Sequence, residues 1–254
     1  MSERPVGSVR RPAVVVMARS PSAAPDTVKT RLRPTVPDGR SRLALYEAFL
    51  ADTLQMAREA CARATPRAML FVFHTPEGGP AGFERLGVDA GTLKPQRSGD
   101  LGARELGIFA DVFALGHDAA VVIGSDFPTL PSSHVVDAIA ALSRDPDRLV
   151  LGPADDGGYY LIGLGAPAVT GRRAIPDVFT GVRWSTANTR ADTEALARAH
   201  HLEVSLVGGW FDVDDEVGWR QLIASVAGLA DATRAPATRA VLTRLGVLPS
   251  TSTS

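Results

Sequence analysis

The residues best suited to chemistry lie in polar loops that follow short apolar segments. The loop after residues 13–18 carries four basic residues and one acid between positions 19 and 34. Such a concentration of positive charge suits phosphate. Lys29 and Lys94 are the two lysines in a chain whose other basic residues are arginines, so Lys29 indicates that a compact ammonium is wanted there. A solvated basic loop is the alternative, and the local sequence favours neither.

Two further loops carry carboxylates. Asp126, in the segment G-S-D-F-P (124–128), follows a buried apolar run and could hold Mg²⁺ together with phosphate oxygens. The alternative is an aspartate that caps a helix or a turn, and the motif alone slightly favours the metal. In D-V-D (212–214), an extended backbone would point Asp212 and Asp214 to the same side, where a divalent cation would relieve their repulsion. Capping of the next helix by Asp214 or Asp215 is the alternative.

A fourth segment, G-P-A-D-D-G-G (152–158), predicts a hairpin turn. Its glycines, Gly157 and Gly158, would also let an acceptor molecule approach the backbone, with Asp156 accepting hydroxyl hydrogen bonds. Trp184 and Trp210 could wall a pocket, although core packing is the more common fate of tryptophan.

Alternating strand and helix patterns must position these loops. Apolar runs predict strands at 13–18, 68–74, 119–124, 148–152, 159–164 and 203–207, and helical spacing predicts helices at 40–63, 100–115, 132–143, 189–199 and 216–229. This order predicts a mainly parallel sheet with ligands beyond the carboxyl ends of its strands. Residues 230–254 read as a linker, a short docking helix near 237–245 and a disordered end.

Composition excludes several classes of function. A chain of 254 residues suits one α/β domain, and 27 basic against 28 acidic residues argue against a nucleic-acid binder. No apolar run is long enough to span a membrane and no signal peptide is recognisable, so we expect a cytoplasmic protein. The single cysteine, Cys61, excludes an internal disulfide and a cysteine-cluster metal site, and the five histidines, read as surface or strand-end residues, show no zinc spacing. The sequence lacks the glycines of a P-loop, and it contains neither a G-x-S-x-G nor a G-x-G-x-x-G motif.

Six motifs occur together in a familiar order. They are K-T-R-L (29–32), Q-R-S-G-D-L-G (96–102), G-S-D-F-P-T-L (124–130), G-P-A-D-D-G-G-Y-Y-L-I-G (152–163), W-S-T (184–186) and D-V-D (212–214). With them, residues 13–229 resemble a family of bacterial GT-A-fold transferases often found beside arsenosugar or selenium-related genes. That family is related to the nucleotidyltransferases that make molybdopterin dinucleotides and 2-phospholactate–guanosine adducts. Relatives usually carry a glycine before K-T-R-L, where this chain has Pro25, Asp26 and Thr27.

The resemblance implies a fold, ligands and site residues. The fold would be an α/β GT-A sandwich of three layers, like that of nucleotide-diphospho-sugar transferases, formed by residues 1–229. The resemblance implies nucleotide binding by Ala18, Arg19, Lys29, Arg31, Gln96, Asp100 and Ser125. It implies binding of Mg²⁺ or Mn²⁺ by Asp126, Asp212 and Asp214, and catalysis by Asp126, Asp156 and Asp214. Acceptor binding would fall to Asp156, Gly157, Gly158 and Trp184.

Three functions remain open at this point. The leading hypothesis is a metal-dependent glycosyltransferase that moves a sugar from a nucleotide sugar to a small-molecule acceptor, with Asp156 as the candidate general base. The second is nucleotidyl transfer from a nucleoside triphosphate to a phosphorylated small molecule. The third is a nucleotide-binding module without catalysis.

Overall fold

A seven-stranded, mainly parallel sheet forms the centre of the protein. A computed structural model describes residues 9–22, 24–228 and 234–249. The sheet has the strand order β3-β2-β1-β4-β6-β5-β7. The strands are β1 (Pro12–Ala18), β2 (Met69–His74), β3 (Leu93–Pro95), β4 (Ala119–Ile123), β5 (Arg148–Pro153), β6 (Tyr159–Gly165) and β7 (Glu203–Leu206). Only β6 runs antiparallel to its neighbours, β4 and β5, so the predicted sheet is confirmed.

Helices cover both faces of this sheet. They are α1 (Gly39–Arg63), α2 (Leu101–Ala114), α3 (Ser132–Arg144), α4 (Pro167–Thr170), α5 (Thr189–Ala199), α6 (Glu216–Gly228) and α7 (Pro236–Arg244). Because side chains alternate along a strand, Val14 and Val16 of β1 pack in the cluster that contains α1 and α3 residues. Ala13 and Val15 pack in the cluster formed with α2 and α5. Both faces of β1 are therefore buried, and the fold has three layers.

Local side-chain caps fix where helices α1 and α2 begin. The carboxylate of Asp38 accepts a hydrogen bond from the Ser41 amide at 2.8 Å, at the start of α1. Asp100 accepts from the Ala103 amide at 2.9 Å, at the start of α2. Each cap satisfies an amide that has no partner within the helix. Asp38 and Asp100, which end their loops, thus also set the starts of α1 and α2.

A third apolar cluster attaches the C-terminal helix α7 to α1 and α6. The buried carboxylate of Asp52 in α1 accepts hydrogen bonds from the amides of Ala237 and Thr238, at 3.0 and 2.8 Å. The short docking helix is therefore present. The predicted linker falls partly on 229–233 and the predicted disordered end on 250–254, both outside the described residues. The division into 1–229 and 230–254 stays a prediction.

Some elements were not predicted. Strand β3 and helix α4 have three and four residues, too few to show a hydrophobic period. His117, expected at the surface or a strand end, is buried between α2 and β4, where its ring packs edge-on against Phe71. In the part of the chain that the structure describes, no helix has both the length and the apolar character needed to cross a membrane.

Candidate functional site

Lys29 joins three separate loops at the carboxyl ends of the strands. Its backbone is left-handed, with φ of 48°, and its ammonium is buried. Nζ lies 2.5 Å from Oδ1 of Asp126 and donates a hydrogen bond to the carbonyl of Val213 at 2.8 Å. It also lies 5.3 Å from the centre of the Phe49 ring, within the range of a cation–π contact. Lys29 therefore holds the loop after β4 next to the D-V-D segment.

The backbone reinforces this junction. The Val213 amide donates to the carbonyl of Asp126 at 3.1 Å, so the two acidic segments are hydrogen-bonded directly. Asp126 remains 39% exposed although its partner Lys29 is only 3% exposed. The Lys29–Asp126 pair thus has one buried and one accessible member, and its carboxylate can still reach a ligand.

A basic cavity of about 350 Å³ opens beside this junction. We call it the basic cavity, and it is lined by Arg19, Thr27, Val28, Lys29, Thr30, Arg31, Tyr46, Ser125, Asp126 and Asp214. Arg31, 71% exposed, contacts Asp214 through Nη1 and Oδ2 at 2.9 Å. The three cationic side chains in this lining, Arg19, Lys29 and Arg31, make the cavity suitable for phosphate groups.

The backbone of Arg19 is fixed by a buried tyrosine. The Arg19 amide donates to Oη of Tyr46 at 2.7 Å, and Oη donates to the Arg19 carbonyl at 2.9 Å. Burial, aided by the nearby Asp126 charge, raises the pKa of Tyr46, so its hydroxyl stays protonated and can donate. The start of the basic loop is therefore rigid on the strand side.

A second cavity, of about 180 Å³, has the opposite charge. We call it the acidic cavity, and it is lined by Leu101, Glu105, Phe127, Ala154, Asp156, Gly158, Tyr159, Trp184, Ser185, Thr189 and Asp212. Trp184 packs against Gly102, where an added Cβ would lie only 2.7 Å from Cζ2 of the indole. Its ring meets Tyr159 edge to face at 6.4 Å. Trp184 thus walls a pocket, as one sequence interpretation allowed.

The Asp212 carboxyl carries the electrostatic signature of the site. Burial, together with the smaller effects of the Asp156, Asp214 and Asp126 charges in that order, raises its pKa to about 6. Asp212 lines the acidic cavity, whereas Asp214 lines the basic one. The expectation for an extended D-V-D segment was that both would face the same side. Residues 211–213 belong to no strand, and this irregular backbone lets the two carboxylates diverge while their charges still interact.

The predicted hairpin turn at 155–158 joins β5 to β6. The Gly158 amide donates to Oδ1 of Asp156 at 2.8 Å, and Gly158 lines the acidic cavity. Gly157 has a φ of +87°, and an added Cβ would lie 2.4 Å from the carbonyl oxygen of Ala187. The requirement for glycine at 157 is therefore explained by a close approach of the chain to itself. Asp156 and Gly158 are the members of the turn that face the cavity.

The other residues given nucleotide-binding roles divide between the basic cavity and positions outside it. Ser125 lines the basic cavity, and the carbonyl of Ala18, at the end of β1, accepts a hydrogen bond from Thr75. Gln96 is buried, and Nε2 of its side-chain amide donates to the Phe73 carbonyl at 2.7 Å. The Asp100 carboxylate caps α2. Neither Gln96 nor Asp100 lines either cavity, and their nucleotide-binding roles stay predictions.

The carboxylates offer a partial metal-binding set. Within residues 9–22, 24–228 and 234–249, no group of three or more acids, histidines or cysteines has the closeness of a complete metal site. Mg²⁺, however, typically takes one or two protein carboxylates and completes its shell with water and substrate phosphates. The crowding of negative charge around Asp212 fits such a cation, because a divalent ion would relieve the repulsion.

Several residues at the site were missed by sequence reasoning. Glu105, Phe127, Tyr159 and Tyr46 all line one of the two cavities. Glu105 gave a signal, since it is an acid on the same helical face as the buried Ile108 and Phe109 of α2. Phe127 and the tyrosines are aromatic residues among other apolar ones, and nothing in the sequence distinguishes them from the core.

Comparison with solved structures identifies a well-matched fold. A proposed nucleotide-diphospho-sugar transferase from Desulfovibrio desulfuricans G20 is 29% identical, with a TM-score of 0.77 over 92% of this chain and 95% of that one. A cytidylyltransferase from Leptospira borgpetersenii is 10% identical, with a TM-score of 0.49 over 92% of this chain and 94% of the other. Rv0371c from Mycobacterium tuberculosis H37Rv, in complex with manganese, is 20% identical, with a TM-score of 0.45 over 85% and 100%.

The first of these structures confirms the α/β fold of nucleotide-diphospho-sugar transferases, the GT-A-like arrangement expected from the motifs. A comparison with curated proteins found no match. A family model matches residues 56–186, which span α1 to the W-S-T motif and include Asp126 and Asp156. This chain belongs to the family of uncharacterized proteins conserved in bacteria that is called DUF2064.

Proposed function

We propose that this protein is a metal-dependent glycosyltransferase that moves a sugar from a nucleotide sugar to a small-molecule acceptor. The observation that carries the proposal is the placement of four interacting carboxylates between a basic and an acidic cavity. The Desulfovibrio relative is described as a nucleotide-diphospho-sugar transferase, which supports the same class of reaction. A donor rich in phosphate would occupy the basic side, and the acceptor would occupy the other.

On the donor side, Arg19 and Arg31 would bind the diphosphate directly. Arg31 is the exposed member of its ion pair with Asp214, so it can exchange that carboxylate for a phosphate oxygen at little cost. Lys29 would act differently, because its ammonium already contacts Asp126 and the Val213 carbonyl. It would hold Asp126 in place and lend positive charge to the wall of the cavity.

Mg²⁺ or Mn²⁺ would be held by one or two of Asp126, Asp212 and Asp214, together with the donor's phosphates. When bound, the ion would supply positive charge for the leaving nucleoside diphosphate. The protein contributes the arrangement of these carboxylates, since Lys29 and the Val213–Asp126 hydrogen bond keep the two acidic loops together.

On the acceptor side, Asp156 would receive the proton from the attacking hydroxyl. Its Oδ1 accepts a hydrogen bond from the Gly158 amide, which orients the carboxylate at the cavity. The oxygen of the acceptor then bonds to the anomeric carbon of the sugar as the bond to the diphosphate breaks. Trp184 would cover one side of the acceptor and exclude water.

Nucleotidyl transfer is the second candidate, and the three cations of the basic cavity favour it, since a triphosphate needs more positive charge than a diphosphate. There an acceptor phosphate would attack the α-phosphate and release pyrophosphate. Assays with nucleotide sugars and with nucleoside triphosphates, each with Mn²⁺, separate the two reactions. Pyrophosphate release without turnover of any nucleotide sugar would decide for nucleotidyl transfer.

The third hypothesis, a nucleotide-binding module without catalysis, is motivated by the loop 25–27, where this chain lacks the glycine that relatives usually carry. Its acid, Asp26, contacts the buried guanidinium of Arg42 at 3.1 Å, so its charge is paired. This pairing supports a phosphate site that still functions. A protein that binds no nucleotide in a metal-dependent way would instead fit the third hypothesis.

A thermal-shift screen tests the proposal. UDP, GDP, CTP and common nucleotide sugars are added with Mn²⁺, and we expect at least one to raise the melting temperature by about 5 °C at saturating concentration. Arg31→Ala should remove most of the shift, because it removes a phosphate ligand.

Arg198→Ala, which removes an exposed arginine of α5, is the matched control and should keep the shift. A full shift in Arg31→Ala would mean that nucleotides bind outside the basic cavity. No shift with any compound would contradict nucleotide binding itself.

A further inference from the structure

The acidic cavity carries negative charge, which a bound acceptor would have to complement. Its ionisable lining residues are Glu105, Asp156, Asp212 and Tyr159. No lysine, arginine or histidine belongs to this lining, as far as the described chain extends. A ligand in the cavity therefore meets acidic groups and finds no protein cation to neutralise them.

Glu105 is the most deeply placed of these acids. It is only 5% exposed, and its Oε2 accepts a hydrogen bond from Oη of Tyr159 at 2.7 Å. Among the residues that the structure describes, no hydrogen bond reaches Oε1. Burial raises the pKa of Glu105 to about 7. Ionising this carboxyl is costly because nothing in the cavity supplies a counter-charge.

Aromatic rings line the same cavity as this carboxyl. Phe127, Tyr159 and Trp184 line the acidic cavity, and the faces of such rings attract cations. A neighbouring cavity of about 170 Å³ shares Leu101, Glu105, Phe127 and Tyr159 with it. The rest of that neighbouring lining comes mainly from apolar residues of β1, β4 and β6, so space for an alkyl group adjoins the acids.

We infer that the acidic cavity binds a cationic group, a small amine or quaternary ammonium carried by the acceptor, between Glu105 and the aromatic rings. This inference rests on the proposed function, which places the acceptor in this cavity. A neutral sugar could satisfy Asp156 through its hydroxyl groups, but it would leave Glu105 without a counter-charge. A cation supplies that charge and gains from the ring faces as well.

Calorimetry with small probes tests the inference without nucleotide or metal. Choline is titrated into the full chain at about pH 8 and constant ionic strength, with EDTA present. The neutral isostere 3,3-dimethylbutan-1-ol and glucose are titrated in parallel. We expect choline to bind and the isostere to bind about tenfold more weakly, because it lacks only the positive charge. Glucose should bind no better than the isostere.

Two variants locate the binding. Glu105→Gln keeps the size of the side chain and an acceptor for Tyr159 but removes the charge, and it should weaken choline binding about tenfold or more. Glu84→Gln, at an exposed position outside both cavities, should bind choline like the wild type.

Absence of choline binding, equal binding of choline and its isostere, or unchanged binding in Glu105→Gln would each overturn the inference. Tighter binding of glucose would assign the cavity to neutral sugars. None of these outcomes affects the nucleotide screen, because no nucleotide is present.

Discussion

The basic and acidic cavities lie on either side of the same carboxylates yet are built in different ways. The basic cavity takes its cations from one long loop, and its arginines are accessible while Lys29 is buried in an ion pair. The acidic cavity is assembled from α2, the β5–β6 hairpin, the W-S-T segment and the D-V-D segment. Among the described residues, its most buried acid has a tyrosine hydroxyl as its one hydrogen-bond partner.

This difference separates two kinds of charge. Positive charge in the basic cavity is already neutralised in part by Asp126 and Asp214, so the wall is stable without a ligand. Negative charge in the acidic cavity is held in a position that destabilises it, as the raised pKa values of Glu105 and Asp212 indicate. Uncompensated buried charge often marks a functional site. The acidic side is therefore where a ligand has most to contribute.

Replacing Glu105 should give the largest change in stability. The pKa of Glu105 is raised from 4.5 to about 7 in the folded protein. Wild-type stability therefore falls as the pH rises from about 4.5 to about 7, because the unfolded chain ionises first. Glu105→Gln avoids this loss, so we expect it to exceed the wild type by about 3 kcal/mol above pH 7. Urea unfolding across this pH range measures the difference.

The same titration of Glu84→Gln serves as the control and should follow the wild-type curve. Below about pH 4.5 the stabilities of Glu105→Gln and wild type should converge, since the carboxyl is then protonated in both states. A constant difference at all pH values would show that Glu105 is not a destabilised acid, and the contrast between the cavities would fail.

A smaller effect is expected from the basic side. Lys29→Met leaves Asp126 without its cation and the Val213 carbonyl without its donor. Because Asp126 is partly exposed and can regain water, we expect a loss of about 2 kcal/mol, less than for a fully buried pair. Chemical denaturation of the variant measures it.

Asp126→Asn, made alone and in the Lys29→Met background, completes a double-mutant cycle. The double variant should recover about 1 kcal/mol relative to Lys29→Met, because the unpaired charge is gone. Additive losses would mean that the two side chains do not stabilise each other, and Lys29 would then be free to serve phosphate alone.

The sequence predicted the architecture and part of the site. Strands such as β1 and β4 are short apolar runs, and long amphipathic patterns such as α1 show their period plainly. Loops at the carboxyl ends of strands must meet at one edge of the sheet. The closeness of Lys29 to Asp126 followed from that rule, although their direct ion pair did not.

Other features depend on tertiary packing. Gly157 looked like a contact point for an acceptor, but its neighbour is the Ala187 backbone, distant in sequence. Asp212 and Asp214 diverge because their segment is irregular, which alternation along a strand could not show. Glu105 could have been noticed as an acid on an apolar helix face, but its hydrogen bond with Tyr159 joins α2 to β6, and no local pattern predicts that contact.

The proposed function requires that a divalent cation and a nucleoside diphosphate bind together at these carboxylates. Calorimetry of UDP, GDP and CDP with and without Mn²⁺ measures this coupling. We expect Mn²⁺ to raise the affinity for at least one of them about tenfold or more in the wild type. The exposed Asp137→Asn control should keep this coupling, and Asp212→Asn should lose most of it. Equal affinity with and without Mn²⁺ in the wild type, or undiminished coupling in Asp212→Asn, would contradict the claim.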